Sequence, residues 1–102
     1  MDVFLDDRRQ TPFGWTRVYW PDQAIALLQT GKVRCISLDH DLGDDARGTG
    51  ADVLVWIREA VRKDGFMPPA IRIHTADPLA KAKMRALLDQ INALTEGGRC
   101  AT

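Results

Sequence analysis

The residues best suited to chemistry in this chain form three groups, each close to the end of a short apolar run. The groups are Asp6-Asp7, Asp39-His40-Asp41, and His74-Thr75 with nearby Asp77. If the apolar runs are neighbouring strands of a parallel sheet, these side chains meet at its carboxyl edge, where open α/β proteins bind ligands. Carboxylates, imidazoles and a hydroxyl at one edge are typical of a phosphate or metal site. The spacing therefore predicts such a site, provided that the strands lie side by side.

Hydrophobic periodicity predicts the elements that must position these residues. Short runs of apolar and β-branched residues predict strands at residues 2–5, 16–20, 33–38 and 70–74. Apolar stripes at helical spacing predict three helices, which begin at Pro21, residue 51 and Pro78 and end near Gly31, Gly65 and Gly97. The intervening residues 8–15 and 42–50 predict loops. Strands that alternate with helices favour an α/β fold with a mostly parallel sheet and helices on both faces.

Length and composition set the broad class of protein. The 102 residues are 45% hydrophobic and 27% charged, which predicts one globular domain at residues 1–97 and a frayed tail at residues 98–102. The formal net charge is zero, so we expect no binding of bulk DNA. Cys35 and Cys100 lack the spacing of a metal or redox motif and are expected to be free thiols. No apolar stretch reaches the roughly 20 residues that span a bilayer, so we expect a cytoplasmic protein without a membrane partner.

Motifs along nearly the whole chain resemble the response-regulator receiver fold. They resemble more closely a short offshoot of that fold, the cyclic-phosphate processing receiver-like domain. The residues that carry the resemblance are Leu5-Asp6-Asp7 with Arg9, Thr11-Pro12, Gly14-Trp15, Ser37-Leu38-Asp39-His40-Asp41-Leu42-Gly43, Gly48-Thr49-Gly50, and Ile73-His74-Thr75-Ala76 followed by Met84.

The resemblance implies a three-layer, receiver-like (flavodoxin-like) fold whose four strands lie in the order 2-1-3-4. Receivers hold Mg²⁺ with an acidic pair after the first strand, accept a phosphoryl group on an aspartate after the third, and contact it with a hydroxyl after the fourth. Those positions are Asp6, Asp7, Asp39 and Thr75 here. This chain differs in two features: the loop at residues 8–15 replaces a helix, and no fifth strand with a lysine follows the last predicted helix.

The offshoot differs from ordinary receivers by its histidines, here His40 and His74, and the resemblance implies an activity on cyclic phosphate ends of RNA or nucleotides. His40 and His74 would then be the acid and base, with Asp39 as a third catalytic residue. Oxygen ligands suit a hard divalent cation, so Asp6, Asp7 and Asp39 would hold Mg²⁺ or Mn²⁺.

The remaining predicted contacts concern the substrate and other partners. Thr75, Arg9 and Asp41 are the predicted substrate-binding residues, of which Thr75 and Arg9 would contact the phosphate. The expected partner is a phosphate-containing small molecule or an RNA end. The last helix or the open sheet edge after the fourth strand could also support a homo-oligomer.

Other interpretations of the same residues stay open at this point. Either histidine could be structural, Thr75 could satisfy its hydroxyl locally, and Asp41 and Asp77 fit loop or capping roles. The acidic pair Asp6-Asp7 could be a solvated strand end, although adjacent acids after a buried strand are costly without a cation. As a whole, the chain could be a non-enzymatic signalling or interaction module with a degenerate phosphoacceptor site, since a fold does not fix a function.

Overall fold

The computed structural model describes residues 1–40, 42–43 and 45–95, and for Asp45 the backbone alone. The strands and helices are Asp2–Leu5 (β1), Thr16–Val18 (β2), Pro21–Leu28 (α1), Cys35–Leu38 (β3), Gly50–Asp64 (α2), Ala70–Ile73 (β4) and Pro78–Thr95 (α3). Each predicted element is present, and β2, β3 and β4 are one or two residues shorter than predicted. A short 3-10 helix at Asp45–Arg47 lies inside the predicted loop at residues 42–50.

The four strands form one parallel sheet in the order β2-β1-β3-β4, which confirms the predicted receiver-like α/β fold. Leu5 at the end of β1 lies opposite Val18 of β2 and Leu38 of β3, and Leu38 lies opposite Ile73 of β4. The strands therefore end at the same level. Whatever follows them in the chain starts from one common edge.

The hydrophobic core lies on one face of this sheet. Alternate residues of β1 and β3 point into it, and all three helices contribute to it. Its buried members include Val3, Leu5, Ile36, Leu38, Leu28 of α1, Leu54 of α2, and Met84 of α3. Helix α2 lies between α1 and α3 and contacts both.

The prediction of helices on both faces needs a correction for the described residues, because α1, α2 and α3 share one face. The crossovers from β2 to β3 and from β3 to β4 run in the same direction across the sheet. Right-handed crossovers in one direction place their helices on the same face. A helix on the opposite face would come from the connection that runs the other way, from β1 to β2, and this connection is a loop.

Side chains from the loop at residues 8–15 cover part of the opposite face. Phe4 of β1 is buried there, and the ring of Trp15 meets it edge-on with centroids 6.3 Å apart. The guanidinium of Arg72, from β4, lies 5.8 Å from the centroid of the Trp15 ring. This face is thus lined by a few rings and arginines instead of a helix.

Helix ends agree with the capping signals in the sequence. Gly65 follows α2 in the left-handed conformation at φ +67°, as a C-terminal glycine should. The carboxylate of Asp77 accepts the N–H of Leu79 at 3.0 Å and so caps α3, the role considered for it above.

Residues at the end of the chain carry several predictions that the structure does not describe. The helix end at Gly97, the frayed tail and Cys100 lie outside the described residues. Cys35 is a free thiol, as predicted. Within the described part of the chain, none of the helices has both the length and the apolar character that crossing a membrane requires.

Candidate functional site

Three polar residues occupy equivalent places, each directly after one of three neighbouring strands. Asp6 follows β1, Asp39 follows β3, and His74 follows β4. Their backbones continue the sheet: the N–H of Asp39 donates to the Leu5 carbonyl at 3.0 Å, and that of His74 to the Leu38 carbonyl at 2.9 Å. Successive residues of a strand point to opposite faces. Because Leu5 and Leu38 point toward the helices, the three polar side chains point to the opposite side and converge.

Asp6 is the centre of this group and is fully buried. Its Oδ1 accepts the backbone N–H of Arg8 at 2.7 Å and of Arg9 at 2.9 Å. Its Oδ2 lies 2.9 Å from His74 Nε2 and 3.4 Å from Arg9 Nη1. Burial alone would raise the pKa of Asp6, but the two backbone donors and His74 outweigh it and hold the pKa below the ordinary value. Asp6 is therefore an ionised carboxylate with four protein donors.

The imidazole of His74 is engaged at both nitrogens. Nε2 faces Asp6, and Nδ1 lies 2.7 Å from the Oγ of Ser37, a residue of β3. The ring also stacks on Phe4, with centroids 4.7 Å apart and planes only 2° from parallel. These contacts fix the position and the rotation of the ring.

Arg9 supplies the positive charge between the carboxylates. Its Nη1 donates to the backbone carbonyl of His74 at 2.6 Å, in addition to its contact with Asp6. The same nitrogen lies 3.9 Å from Asp39 Oδ2. The backbone of Arg9 is held in turn by Arg17, whose Nη1 donates to the Arg9 carbonyl. The loop after β1 therefore delivers a guanidinium into the acidic group.

Asp39 is the less satisfied of the two converging carboxylates. Burial raises the pKa of Asp39, and the negative charge of Asp6 raises it further. The backbone N–H of His40, which donates to Asp39 Oδ1 at 2.8 Å, and the charge of Arg9 oppose this rise without cancelling it. Its Oδ2 lies beyond hydrogen-bond distance of Arg9, the cation beside it.

The site contains a group that could hold a metal ion. Asp6, Asp39 and His74 each offer a ligand atom, and these atoms lie within 4.8 Å of one another. Asp7, a predicted ligand, lies outside that group of three. Its Oδ1 is nevertheless buried and has no hydrogen-bond partner among the described residues. A buried carboxylate oxygen without a donor is unusual, and a bound cation would satisfy it.

Other predicted residues are placed less centrally. His40 follows Asp39 directly, but its ring is not a member of the group of three ligand atoms. The hydroxyl of Thr75 accepts the backbone N–H of Asp77 at 3.2 Å, which is the local role considered for it. Asp41 lies outside the described residues.

Two residues that sequence reasoning passed over belong to the site. Ser37 contacts His74. The sequence could have indicated it through its position two residues before Asp39, because side chains two residues apart along a strand point to the same face of the sheet. Gly50 is the last residue of the predicted loop at residues 42–50, but in the structure it is the first residue of α2. A Cβ on Gly50 would lie 1.8 Å from the carbonyl oxygen of Asp39, so only glycine allows α2 to pack against the end of β3.

Comparison with known proteins adds the family. Residues 1–90 of the 102-residue chain match the family described as the cyclic-phosphate processing receiver domain. The chain belongs to this family. No curated protein and no solved structure matches it.

Membership of the cyclic-phosphate processing receiver domain family confirms the resemblance drawn from the motifs. The matched residues include all four strands and the whole of the converging group Asp6, Asp39 and His74. The site at the carboxyl edge thus lies within the part of the chain that defines the family, which is linked by its description to cyclic-phosphate processing.

Proposed function

We propose that this protein is a metal-assisted phosphoesterase that acts on cyclic phosphate ends of RNA or nucleotides. One observation carries the proposal: Asp6, Asp39 and His74 converge in register at the edge of the sheet, with Arg9 among them, in a member of a family described by cyclic-phosphate processing. Carboxylates with a nearby guanidinium are the groups that bind a phosphate through a hard cation.

The oxygens available to a cation are not equivalent. Asp6 already accepts four hydrogen bonds from the protein, whereas Asp39 Oδ2 and the buried Asp7 Oδ1 have room for a further partner. We therefore propose Asp39 and Asp7 as direct ligands of Mg²⁺ or Mn²⁺, with Asp6 adding negative charge beside them. When bound, such a cation supplies positive charge to the phosphate and lowers the pKa of a coordinated water.

The reaction proposed is hydrolysis of one phosphoester bond of the ring. The oxygen of water forms a new bond to phosphorus, the bond to the 2′ or 3′ oxygen breaks, and the product is a phosphomonoester with a free hydroxyl. Asp39 Oδ2, which lies beyond hydrogen-bond distance of Arg9, is the proposed acceptor of the proton of the water. His40 is the proposed donor to the leaving oxygen, and Arg9, with about half of its side chain exposed, is the proposed contact to the phosphate oxygens.

The test is direct hydrolysis by the purified chain. A 2′,3′-cyclic mononucleotide and a short RNA with a 2′,3′-cyclic phosphate end are incubated with Mg²⁺ or Mn²⁺, and the phosphomonoester is measured by ³¹P NMR. Loss of a proton-transfer group costs about 10²- to 10⁴-fold, so Asp39→Asn and His40→Ala should lose at least about 100-fold.

Asp64→Asn is the matched control, because it removes an exposed acid at the far end of α2 and should keep the wild-type rate. The proposal is wrong if neither substrate is hydrolysed with either metal, or if both site variants keep the wild-type rate.

The complete satisfaction of Asp6 by protein donors favours one second candidate, a non-enzymatic receiver-like module. In that case Asp39 would accept a phosphoryl group instead of a water proton. Titration with beryllofluoride and Mg²⁺ separates the two functions: a module of this kind forms a stable adduct at Asp39, and the adduct is absent in Asp39→Asn.

A further inference from the structure

A continuous hydrogen-bonded chain runs across three strands of the sheet. It joins Ser37 Oγ to His74 Nδ1 at 2.7 Å and His74 Nε2 to Asp6 Oδ2 at 2.9 Å. Ser37 is only 6% exposed and Asp6 is fully buried, so both ends of the chain are shielded from water. The proposed function makes no use of Ser37.

The direction of the hydrogen bond to Asp6 follows from the donors around that carboxylate, and the direction of the bond to Ser37 then follows for a neutral imidazole. Two backbone N–H groups point at its Oδ1, and Arg9 Nη1 points at its Oδ2; these groups can only donate. Asp6 is therefore acceptor-only, and His74 Nε2 must carry a proton to contact it at 2.9 Å. A neutral imidazole has one N–H, so its Nδ1 is bare and accepts a proton from a donor. The hydroxyl of Ser37 is that donor.

We propose that Ser37 is a positioning residue that donates to Nδ1 and so, together with Asp6, holds His74 as the Nε2–H tautomer, and that His74 serves to hold Asp6 in place. His74 then neither binds the cation nor exchanges protons with the substrate, because both nitrogens are occupied within the protein. The ring is held further by its stack on Phe4, so rotation that would free Nε2 breaks three contacts together.

This series of hydrogen bonds also explains why a serine lies at this position of β3. Ser37 lies between Phe4 of β1 and Arg72 of β4 in the register of the sheet, and both neighbouring residues of β3, Ile36 and Leu38, are fully buried. A buried hydroxyl is costly without a partner. Here its partner is the imidazole, and the pair ties β3 to the residue that follows β4.

The decisive measurement is the tautomer of His74 by ¹⁵N NMR of the intact chain, in alkaline solution at a pH above which the ring ¹⁵N shifts no longer change. The sequence has two histidines, so His40→Gln assigns the signals. Long-range ¹H–¹⁵N correlations distinguish a protonated nitrogen from a bare one. Wild type should show the Nε2–H form alone, with the ¹⁵N shift of the bare Nδ1 displaced upfield by the hydrogen bond that it accepts. Ser37→Ala should keep Nε2–H but lose that displacement, and Ser37→Thr, which keeps a hydroxyl, should retain it.

Cys35→Ala is the matched control, because Cys35 lies two residues earlier on the same face of β3 and should leave the tautomer unchanged. An Nδ1–H form in wild type overturns the inference, as does an Nδ1 shift that Ser37→Ala leaves unchanged. If Ser37→Ala does not fold, wild type and Ser37→Thr still decide the question.

A second arm uses Mg²⁺ alone and rests on the proposed function. Addition of Mg²⁺ should leave the His74 Nε2–H signal in place, whereas loss of that proton would make His74 a ligand and refute the positioning role. Substitution of residues that hold metal ligands typically weakens metal binding by about 10- to 100-fold. Ser37 acts one step further away, through His74 and Asp6, so Ser37→Ala should weaken Mg²⁺ binding by less than about tenfold. If wild type binds no Mg²⁺, the proposed function is wrong, but the NMR measurement of the His74 tautomer still tests the positioning role of Ser37.

Discussion

Asp6 and Asp39 are neighbouring carboxylates with opposite effects on stability, and isosteric substitution should reveal the difference. Asp6→Asn keeps an oxygen for the two backbone donors but presents an amide N–H₂ to Arg9 and His74, which both donate to that position. Hydrogen bonds to charged groups contribute about 1.5–3 kcal/mol each. We expect Asp6→Asn to lower the free energy of unfolding by about 2–4 kcal/mol.

Asp39→Asn should have the opposite sign. The amide oxygen can still accept the His40 N–H, and the ion pair that is lost is the long one to Arg9 at 3.9 Å. The repulsion between Asp39 and Asp6, which helps to raise the pKa of Asp39, is removed. We expect a gain of up to about 1 kcal/mol, at the cost of the proposed activity.

Thermal unfolding in EDTA at neutral pH measures both changes. A difference of about 3 kcal/mol between the variants corresponds to roughly 15 °C in Tm for a domain of this size. Asp64→Asn, on the exposed end of α2, should stay within about 0.5 kcal/mol of wild type. An Asp6→Asn protein as stable as Asp39→Asn would refute the assignment of Asp6 as the satisfied carboxylate.

The same two groups set the pH dependence of stability. Asp6 has a folded pKa below its ordinary value, so its contribution is complete above that value and is lost as the pH falls through the folded pKa. Asp39 has a folded pKa above its ordinary value, so its cost is complete above the raised pKa and disappears as the pH falls from there to the ordinary value. On acidification, the advantage of Asp39→Asn should therefore vanish before the deficit of Asp6→Asn does.

Three further predictions concern backbone packing, capping and the resident cation. Gly50→Ala should lower the free energy of unfolding in urea by more than about 3 kcal/mol, because its Cβ would meet the Asp39 backbone at 1.8 Å. Gly65→Ala has open space around the new Cβ but a φ of +67°, and should lower it by about 1 kcal/mol. Equal losses of stability in the two variants would contradict the close packing at Gly50. Asp77→Ala should lower stability by about 1 kcal/mol through loss of the α3 cap, and calorimetry that finds no change would exclude the cap. Arg9→Ala should enlarge the rise in Tm produced by Mg²⁺, since it removes the cation that lies between the carboxylates; an unchanged rise would show that Arg9 and Mg²⁺ do not compete.

Much of the fold could be predicted because its signals are local. The glycine after α2, the proline at the start of α3 and the apolar runs of the strands each depend on a few adjacent residues. The sheet order came instead from the resemblance to receivers, and the structure agrees with it. The faces occupied by the helices were predicted less well, since they depend on the direction of each crossover across the sheet, which no local pattern records.

The site was predictable in outline for the same reason. Polar residues directly after apolar strands identified Asp6, Asp39 and His74, and parallel pairing then brought them together. The contacts themselves were not predictable. The bond from Ser37 to His74 and the close packing of Gly50 join residues whose distance in space depends on the tertiary structure and cannot be read from spacing along the chain.

His74 reaches from the end of one edge strand, across β3, to a carboxylate that belongs to β1. Adjacent strands are about 4.8 Å apart, so this side chain bridges two intervals that an aspartate or serine could not cover. It links the edge strand β4 to the residue that follows the interior strand β1. If β4 separated from β3, Asp6 would lose the hydrogen bond from His74. Conversely, a ligand that binds beside Asp6 and stabilises this hydrogen bond should slow amide hydrogen exchange in β4, several ångströms from the bound ligand.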